Sequence, residues 1–178
     1  QNLQVFFNMS ALDNVRTGAH LHERVSMWPA LLRLPGLQRA ESQGRERAAA
    51  LMQRVGLGAW IDADADAMPY GALKRLEIAR ALAGEPKLLL LDEPAAGLNP
   101  TEAHEIDGLI RELARGGMTV LLVEHNMRLV MEVSDRVLVL DAGSRLAEGA
   151  PAEVARDPRV IEAYLGADAV ATGEAAHA

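Results

Sequence analysis

Two places in this sequence set chemically able polar residues directly behind an apolar run: Leu88-Leu89-Leu90-Leu91 leads into Asp92-Glu93-Pro94, and Val120-Leu121-Leu122-Val123 into Glu124-His125. A buried strand that ends in two carboxylates puts them at the carboxyl edge of a parallel sheet, where ligands of open α/β folds bind. Adjacent acids can divide the work there. One holds Mg²⁺ through its water shell, because this small cation keeps several waters and takes few protein carboxylates. The other orients and deprotonates an attacking water. A second parallel strand ending at His125 would bring a neutral imidazole to the same edge, able to donate a hydrogen bond to a phosphate oxygen. A third candidate is Met68-Pro69-Tyr70-Gly71-Ala72, which runs into a helical stretch; the N–H groups and positive dipole end of a helix start bind phosphate. Taken singly, each has an ordinary structural explanation: acids facing solvent after a strand, a hydrogen-bonded strand-end histidine, and a glycine-containing helix start.

The elements that must position these residues alternate between strand and helix. Ser10 and Asp13 have capping-box-like spacing and predict a helix from Ser10 to about Arg16, although Asp replaces the usual Glu or Gln. Pro29 and Pro35 break residues 26–36 into short pieces, and a longer helix is expected over Gln38 to Val55, stopped by Gly56. After the acidic loop Asp62 to Asp66, Leu76, Ala79 and Ala83 recur at helical spacing from Gly71 to Ala83, with Ile78 and Leu82 widening the apolar face and Gly84 closing it. Lys87 to Leu91 reads as a strand buried on both faces. Asn99-Pro100 caps and opens a helix with Ile106, Leu109, Ile110 and Leu113 inward, and Gly116-Gly117 stops it. Met118 to Val123 is a second strand and Asn126 to Val133 a short helix. Val137 to Leu140 and Arg145 to Glu148 form a hairpin, and Pro151 to Arg156 and Pro158 to Leu165 are two last helices. The fold class is α/β, a mostly parallel sheet flanked by helices.

Composition narrows the function. The 178 residues are 49% hydrophobic and 24% charged, as in a soluble globular domain, with only 3% aromatic residues. A net charge of −7 with scattered Lys and Arg offers no basic stripe, so nucleic acid is excluded as the main partner. There are no cysteines and hence no disulfides or thiolate metal sites. The apolar runs fall far below the ~18 residues of a membrane span, so a membrane role would be peripheral. The chain opens at Gln1 with no signal-peptide pattern, as though inside a domain, and Ala167 to Ala178 is small, polar and patternless, the composition of a disordered tail.

The order of these motifs carries more than any one of them. Gln1, Tyr70-Gly71 with its Arg-Ala-Leu helix, Asp92-Glu93-Pro94, Gly97-Leu98-Asn99-Pro100 and Glu124-His125 together resemble the Q-loop, signature, Walker B, D-loop and switch histidine of the ABC ATPases. The resemblance covers nearly all of residues 1–166. It implies an ABC ATPase core of the P-loop NTPase type, incomplete at its N-terminus, with a helical subdomain and signature helix over residues 5–83 and the Walker B to C-terminal part over 84–166. It also implies roles. Gln1 would sense Mg²⁺ and the membrane subunits, Asp92 would stand on the metal side, Glu93 would be the general base and His125 the switch. Tyr70 and Gly71 would meet the nucleotide of a partner subunit, and Asn99, where a D-loop aspartate often stands, would touch that partner. ATP and Mg²⁺ are the implied cofactors. The implied partners are a second ATP-binding subunit in a head-to-tail dimer, transmembrane permease subunits and, indirectly, a solute-binding protein, at the cytoplasmic face of the membrane. Tyr-Gly, Glu-Pro-Ala-Ala-Gly-Leu-Asn-Pro, Val-Glu-His-Asn-Met and Ala-Tyr-Leu-Gly look most like importers of branched-chain amino acids and related amides. The lipopolysaccharide-export ATPases are similar.

Two departures bear on activity. The common signature Leu-Ser-Gly-Gly-Gln is replaced by Met68-Pro69-Tyr70-Gly71-Ala72, and Pro69 supplies neither hydroxyl nor N–H. No Gly-x-x-x-x-Gly-Lys-Ser/Thr occurs, so the phosphate cradle, its lysine and one Mg²⁺ ligand are missing. Truncation ahead of Gln1 is the expected explanation, and these 178 residues alone are expected not to hydrolyse ATP and to expose apolar sheet faces. A soluble ABC-type ATPase and a degenerate cassette serving as a dimerisation module are the other readings.

Overall fold

Ser10 starts the first described helix, α1 (Ala11–Gly18), by accepting the Asp13 N–H at 3.1 Å while its own hydroxyl donates to the Asp13 carboxylate at 2.8 Å. The computed structural model describes residues 3–20 and 35–165, so Gln1, the Met27-Trp28 stretch and the C-terminal tail lie outside the described residues. The chain divides into two units, 1–121 and 122–178.

In the first unit α1 is followed by α2 (Pro35–Arg54), two short 3₁₀ turns, α3 (Tyr70–Ala83), β1 (Leu88–Asp92) and α4 (Pro100–Arg115). β2 (Thr119–Val123) leads out of it. α2 starts three residues earlier than the sequence pattern predicts, because Pro35 stands at its first position, where a missing N–H costs nothing. The helices α1, α2 and α3 pack on one another around Leu12, Val15, Met52, Leu57 and Leu76, each nearly or fully buried. Each large aliphatic side chain buried in this way stabilises by about 1.5–3 kcal/mol. Asn14 is the polar exception and is fully buried. Its amide donates to the Phe6 and Ser10 carbonyls, both at 3.0 Å, and accepts the Phe6 N–H at 2.9 Å, which ties the segment before α1 to the helix.

α4 buries Ile106, Leu109, Ile110 and Leu113, the stripe expected of its spacing. Arg75 of α3 pairs with Glu105 at 2.7 Å and Arg54 of α2 with Glu112 at 3.3 Å, so both helices are tied to α4 at the surface. β1 and β2 pair as a two-stranded sheet, joined through α4 as crossover. Burial of β1 on both faces is not observed. Leu89 is 4% exposed, whereas Leu88 and Leu90 on the alternate face are 46% and 65% exposed, and Leu121 of β2 is 52% exposed. Side chains of a strand alternate between faces, and here packing covers only one of them.

The second unit holds α5 (Met127–Val133), β3 (Val137–Asp141), β4 (Ser144–Gly149), α6 (Pro151–Val154) and α7 (Pro158–Leu165). β3 and β4 form an antiparallel hairpin, with Asp141 opposite Ser144 and the register slipping between Val139 and Leu140. Its two loop residues, Ala142 and Gly143, both have positive φ, the backbone that matches strand twist in a two-residue turn. Val137, Val139 and Ala147 face inward and pack with Val154 and Val160. Glu148 is gripped by Arg145 at 2.9 Å and Arg136 at 2.7 Å. Among the described residues no helix is long and apolar enough to cross a membrane.

Candidate functional site

Asp92 is the last residue of β1 and is exposed; Glu93 follows it, half-buried, with Pro94 buried behind. Glu93 has φ 45°, in the left-handed region. For a residue with a Cβ this costs about 1–2 kcal/mol, and backbone held there against its preference collects at functional sites. What holds it is a tight turn. The Ala96 N–H donates to the Glu93 carbonyl at 3.1 Å and the Leu98 N–H to the Ala95 carbonyl at 3.2 Å. The turn delivers the chain to Asn99, which caps α4 by accepting the Thr101 and Glu102 N–H groups, both at 3.0 Å. Glu102 returns the favour, accepting the Asn99 N–H at 3.2 Å to complete a capping box.

The start of α3 lies against this turn. Tyr70 is its first residue, preceded by Pro69, which has no side-chain hydrogen bond to offer the first turn. The Tyr70 hydroxyl donates to the Ala96 carbonyl at 3.4 Å, and Lys74 sits 5.8 Å from the Tyr70 ring centroid. The ring edge lies 3.3 Å from where a Cβ on Gly97 would stand. Gly71 is buried, and a Cβ on it would meet Glu102 Oε1 at 2.5 Å. A side chain at position 71 would therefore displace the Glu102 carboxylate from its present place. The structure thus brings together Tyr70, Gly71, Asp92, Glu93 and Asn99 within the first unit, through the single turn from Glu93 to Asn99.

Glu102 was not among the site residues expected from the sequence. Its signal was present, since Asn99-x-x-Glu102 has the spacing of a capping box. In the second unit, half-buried Glu124 and exposed His125 form the short link between β2 and the α5 cap, where the Asn126 side chain accepts the Leu129 N–H at 3.2 Å. Gln1 lies outside the described residues.

The donor set suits a hard cation. Among the described residues no group of three or more His, Cys, Asp or Glu could enclose a metal. Mg²⁺ does not need one, because it binds through one or two carboxylates together with substrate phosphates. Asp92, at the strand's carboxyl end, fits that mode.

A strand that ends in an acidic pair, with a capped helix behind it and a glycine-bearing helix start beside it, places the chain among α/β folds that bind ligands at a strand's carboxyl edge. The family described as "ABC transporter" matches residues 1–96, and that described as "Branched-chain amino acid ATP-binding cassette transporter" matches residues 144–170. The high-affinity branched-chain amino acid transport ATP-binding protein LivG of Salmonella typhimurium is 42% identical over 167 residues, 93% of this chain and 66% of that protein. The lipopolysaccharide export system ATP-binding protein LptB of Acidithiobacillus ferridurans is 38% identical over 166 residues, 93% of this chain and 63% of that protein. In fold, the chain matches the ADP conformation of MJ1267, an ATP-binding cassette of an ABC transporter, with TM-score 0.69 and 29% identity over 89% of this chain and 63% of that one. The chain belongs to the ABC transporter family. It spans about two thirds of the length of these relatives.

Proposed function

We propose that the full-length protein is the ATP-hydrolysing subunit of an ABC importer for branched-chain amino acids or related amides. The observation that carries this reading is the Asp92-Glu93 pair at the end of β1, its second member fixed in left-handed backbone. The likeness to LivG supports the substrate class. Asp92 would hold Mg²⁺ on the metal side of the nucleotide, where the ion would neutralise charge on the terminal phosphates. Glu93 aligns a water with the terminal phosphate and takes its proton, which demands little covalent chemistry from the protein. His125, two residues after β2, donates to the departing phosphoryl group. Gln1 senses Mg²⁺ and the membrane subunits.

Two subunits sandwich the nucleotides head to tail, with Gly71 of one offering its N–H and the α3 dipole to the nucleotide of the other, and with Asn99 at the contact between them. Transmembrane permease subunits carry the solute, delivered by a solute-binding protein, while this subunit rests peripherally at the cytoplasmic face. The 178-residue chain alone does not turn over ATP, since it contains no P-loop.

The likeness to LptB supports a second reading, lipopolysaccharide export. Deleting the gene and measuring uptake of labelled leucine separates the two. The importer reading predicts lost uptake, restored by the wild-type gene and not by Glu93→Gln. Normal uptake with failing lipopolysaccharide delivery would transfer the assignment to export.

A further inference from the structure

The hydroxyl of Tyr70 and the backbone of Glu93 are joined through the backbone of one residue, Ala96. The Ala96 carbonyl accepts from the Tyr70 hydroxyl at 3.4 Å, and the Ala96 N–H donates to the Glu93 carbonyl at 3.1 Å. The Tyr70 ring also lies close to Gly97, 3.3 Å from where a Cβ would stand, and Gly97 takes a φ of 78° in the same turn. A second strut runs alongside, because Glu102 packs on Gly71 and holds the Asn99 N–H. Glu93 itself stands in a backbone conformation it does not prefer, so surrounding contacts, the Ala96 N–H among them, must hold it there.

We propose that Tyr70 is a positioning residue for Glu93. Through Ala96 and Gly97 it fixes the turn that holds the general base, and so links the helix start offered to a partner's nucleotide to the base acting on the chain's own. The inference rests on the reading of Glu93 as the base. The Tyr70 side chain reaches the turn at Ala96 and Gly97, so it acts on its own chain's base through the placement of Glu93, apart from any contact its helix start makes with a partner's nucleotide. Small misplacements of a catalytic group cost large factors in rate.

The test uses the full-length protein and steady-state ATP hydrolysis. Tyr70→Ala should lower kcat by about tenfold or more, with KM for ATP within about threefold of wild type and the thermal midpoint little changed. Tyr70→Phe keeps the ring against Gly97 but loses the bond to the Ala96 carbonyl, and should fall between wild type and Tyr70→Ala; Tyr70→Leu, which keeps apolar bulk but neither the flat ring nor the hydroxyl, should behave as Tyr70→Ala. The decisive readout is the Glu93→Gln background, where Tyr70→Ala should change the residual rate by less than about twofold, because residues acting as one unit are non-additive. A kcat unchanged by Tyr70→Ala, a loss confined to KM, or the same fold-loss in both backgrounds would overturn the proposal. Wild-type turnover by Glu93→Gln alone would instead remove the base assignment, whatever Tyr70 does.

Discussion

Gly71→Ala puts a methyl group where the structure leaves no room for one. The new Cβ would stand 2.5 Å from Glu102 Oε1, 2.7 Å from Cδ and 3.2 Å from Cγ. Reaching an ordinary contact of 3.4 Å requires the carboxylate to retreat by 0.9 Å (3.4 − 2.5). Glu102 is a flexible side chain, so it moves rather than the backbone. In moving, it gives up the Asn99 N–H now held at 3.2 Å and with it one half of the α4 capping box. Loss of that one exposed hydrogen bond, with the Asn99 cap itself kept, costs about 0.5–1.5 kcal/mol, while alanine in place of glycine near a helix start returns up to about 1 kcal/mol. The net change in stability is therefore small, within about 1 kcal/mol, and conceals two opposed effects. Urea unfolding of the full-length protein in a double-mutant cycle with Glu102→Ala exposes them. Without the Glu102 carboxylate the methyl meets no obstacle from it, Gly71→Ala turns neutral or stabilising, and the coupling energy is about 0.5–1.5 kcal/mol. Additivity within about 0.3 kcal/mol would refute the packing argument.

Asn14→Ala leaves the Phe6 N–H and the Phe6 and Ser10 carbonyls without the amide that satisfies them. Unfolding stability should fall by about 1–3 kcal/mol, measured by urea titration, and a change below about 0.5 kcal/mol would contradict the role given to this buried amide. The Glu148 carboxyl is held below its ordinary value by the Arg145 hydrogen bond first and the Arg136 charge second. A carboxyl whose folded pKa is depressed contributes stability that is present above its unfolded value and is lost as pH falls through the folded one. Carboxyl NMR titration should place Glu148 below an ordinary exposed glutamate, and Arg145→Ala should move it upward; a wild-type midpoint at or above that of an ordinary glutamate would contradict the pairing.

What the sequence makes legible here is local chemistry. Asn99-Pro100 specifies a cap and a helix start regardless of tertiary context, and α4 begins where they say. The hairpin can be read because Asp141-Ala142-Gly143-Ser144 lies between two strand-like runs and Gly143 suits positive φ, whereas Ala142 takes positive φ against its own preference. Tertiary context decides the rest. The all-leucine run of β1 reads as buried on both faces, yet Leu88 and Leu90 are bare, because apolar side chains state a tendency to be covered and not what covers them. Pro35 reads as a breaker in composition, but at the first position of α2 it is a starter, and only the backbone distinguishes these. In the site, Asp92 and Glu93 were recognisable from their place after an apolar run. The left-handed backbone of Glu93 and the approach of Tyr70 to Ala96 were not, since both depend on how the start of α3 meets the turn after β1.

The central claim is that Glu93 takes the proton from the attacking water while other groups hold the nucleotide. A single-turnover experiment on the full-length protein, with radiolabelled ATP and Mg²⁺ under excess enzyme, separates these two functions. Glu93→Gln should bind ATP with wild-type affinity while phosphate release slows by about 10² or more. Release at the wild-type rate, or a loss traced wholly to weaker ATP binding, would contradict the account.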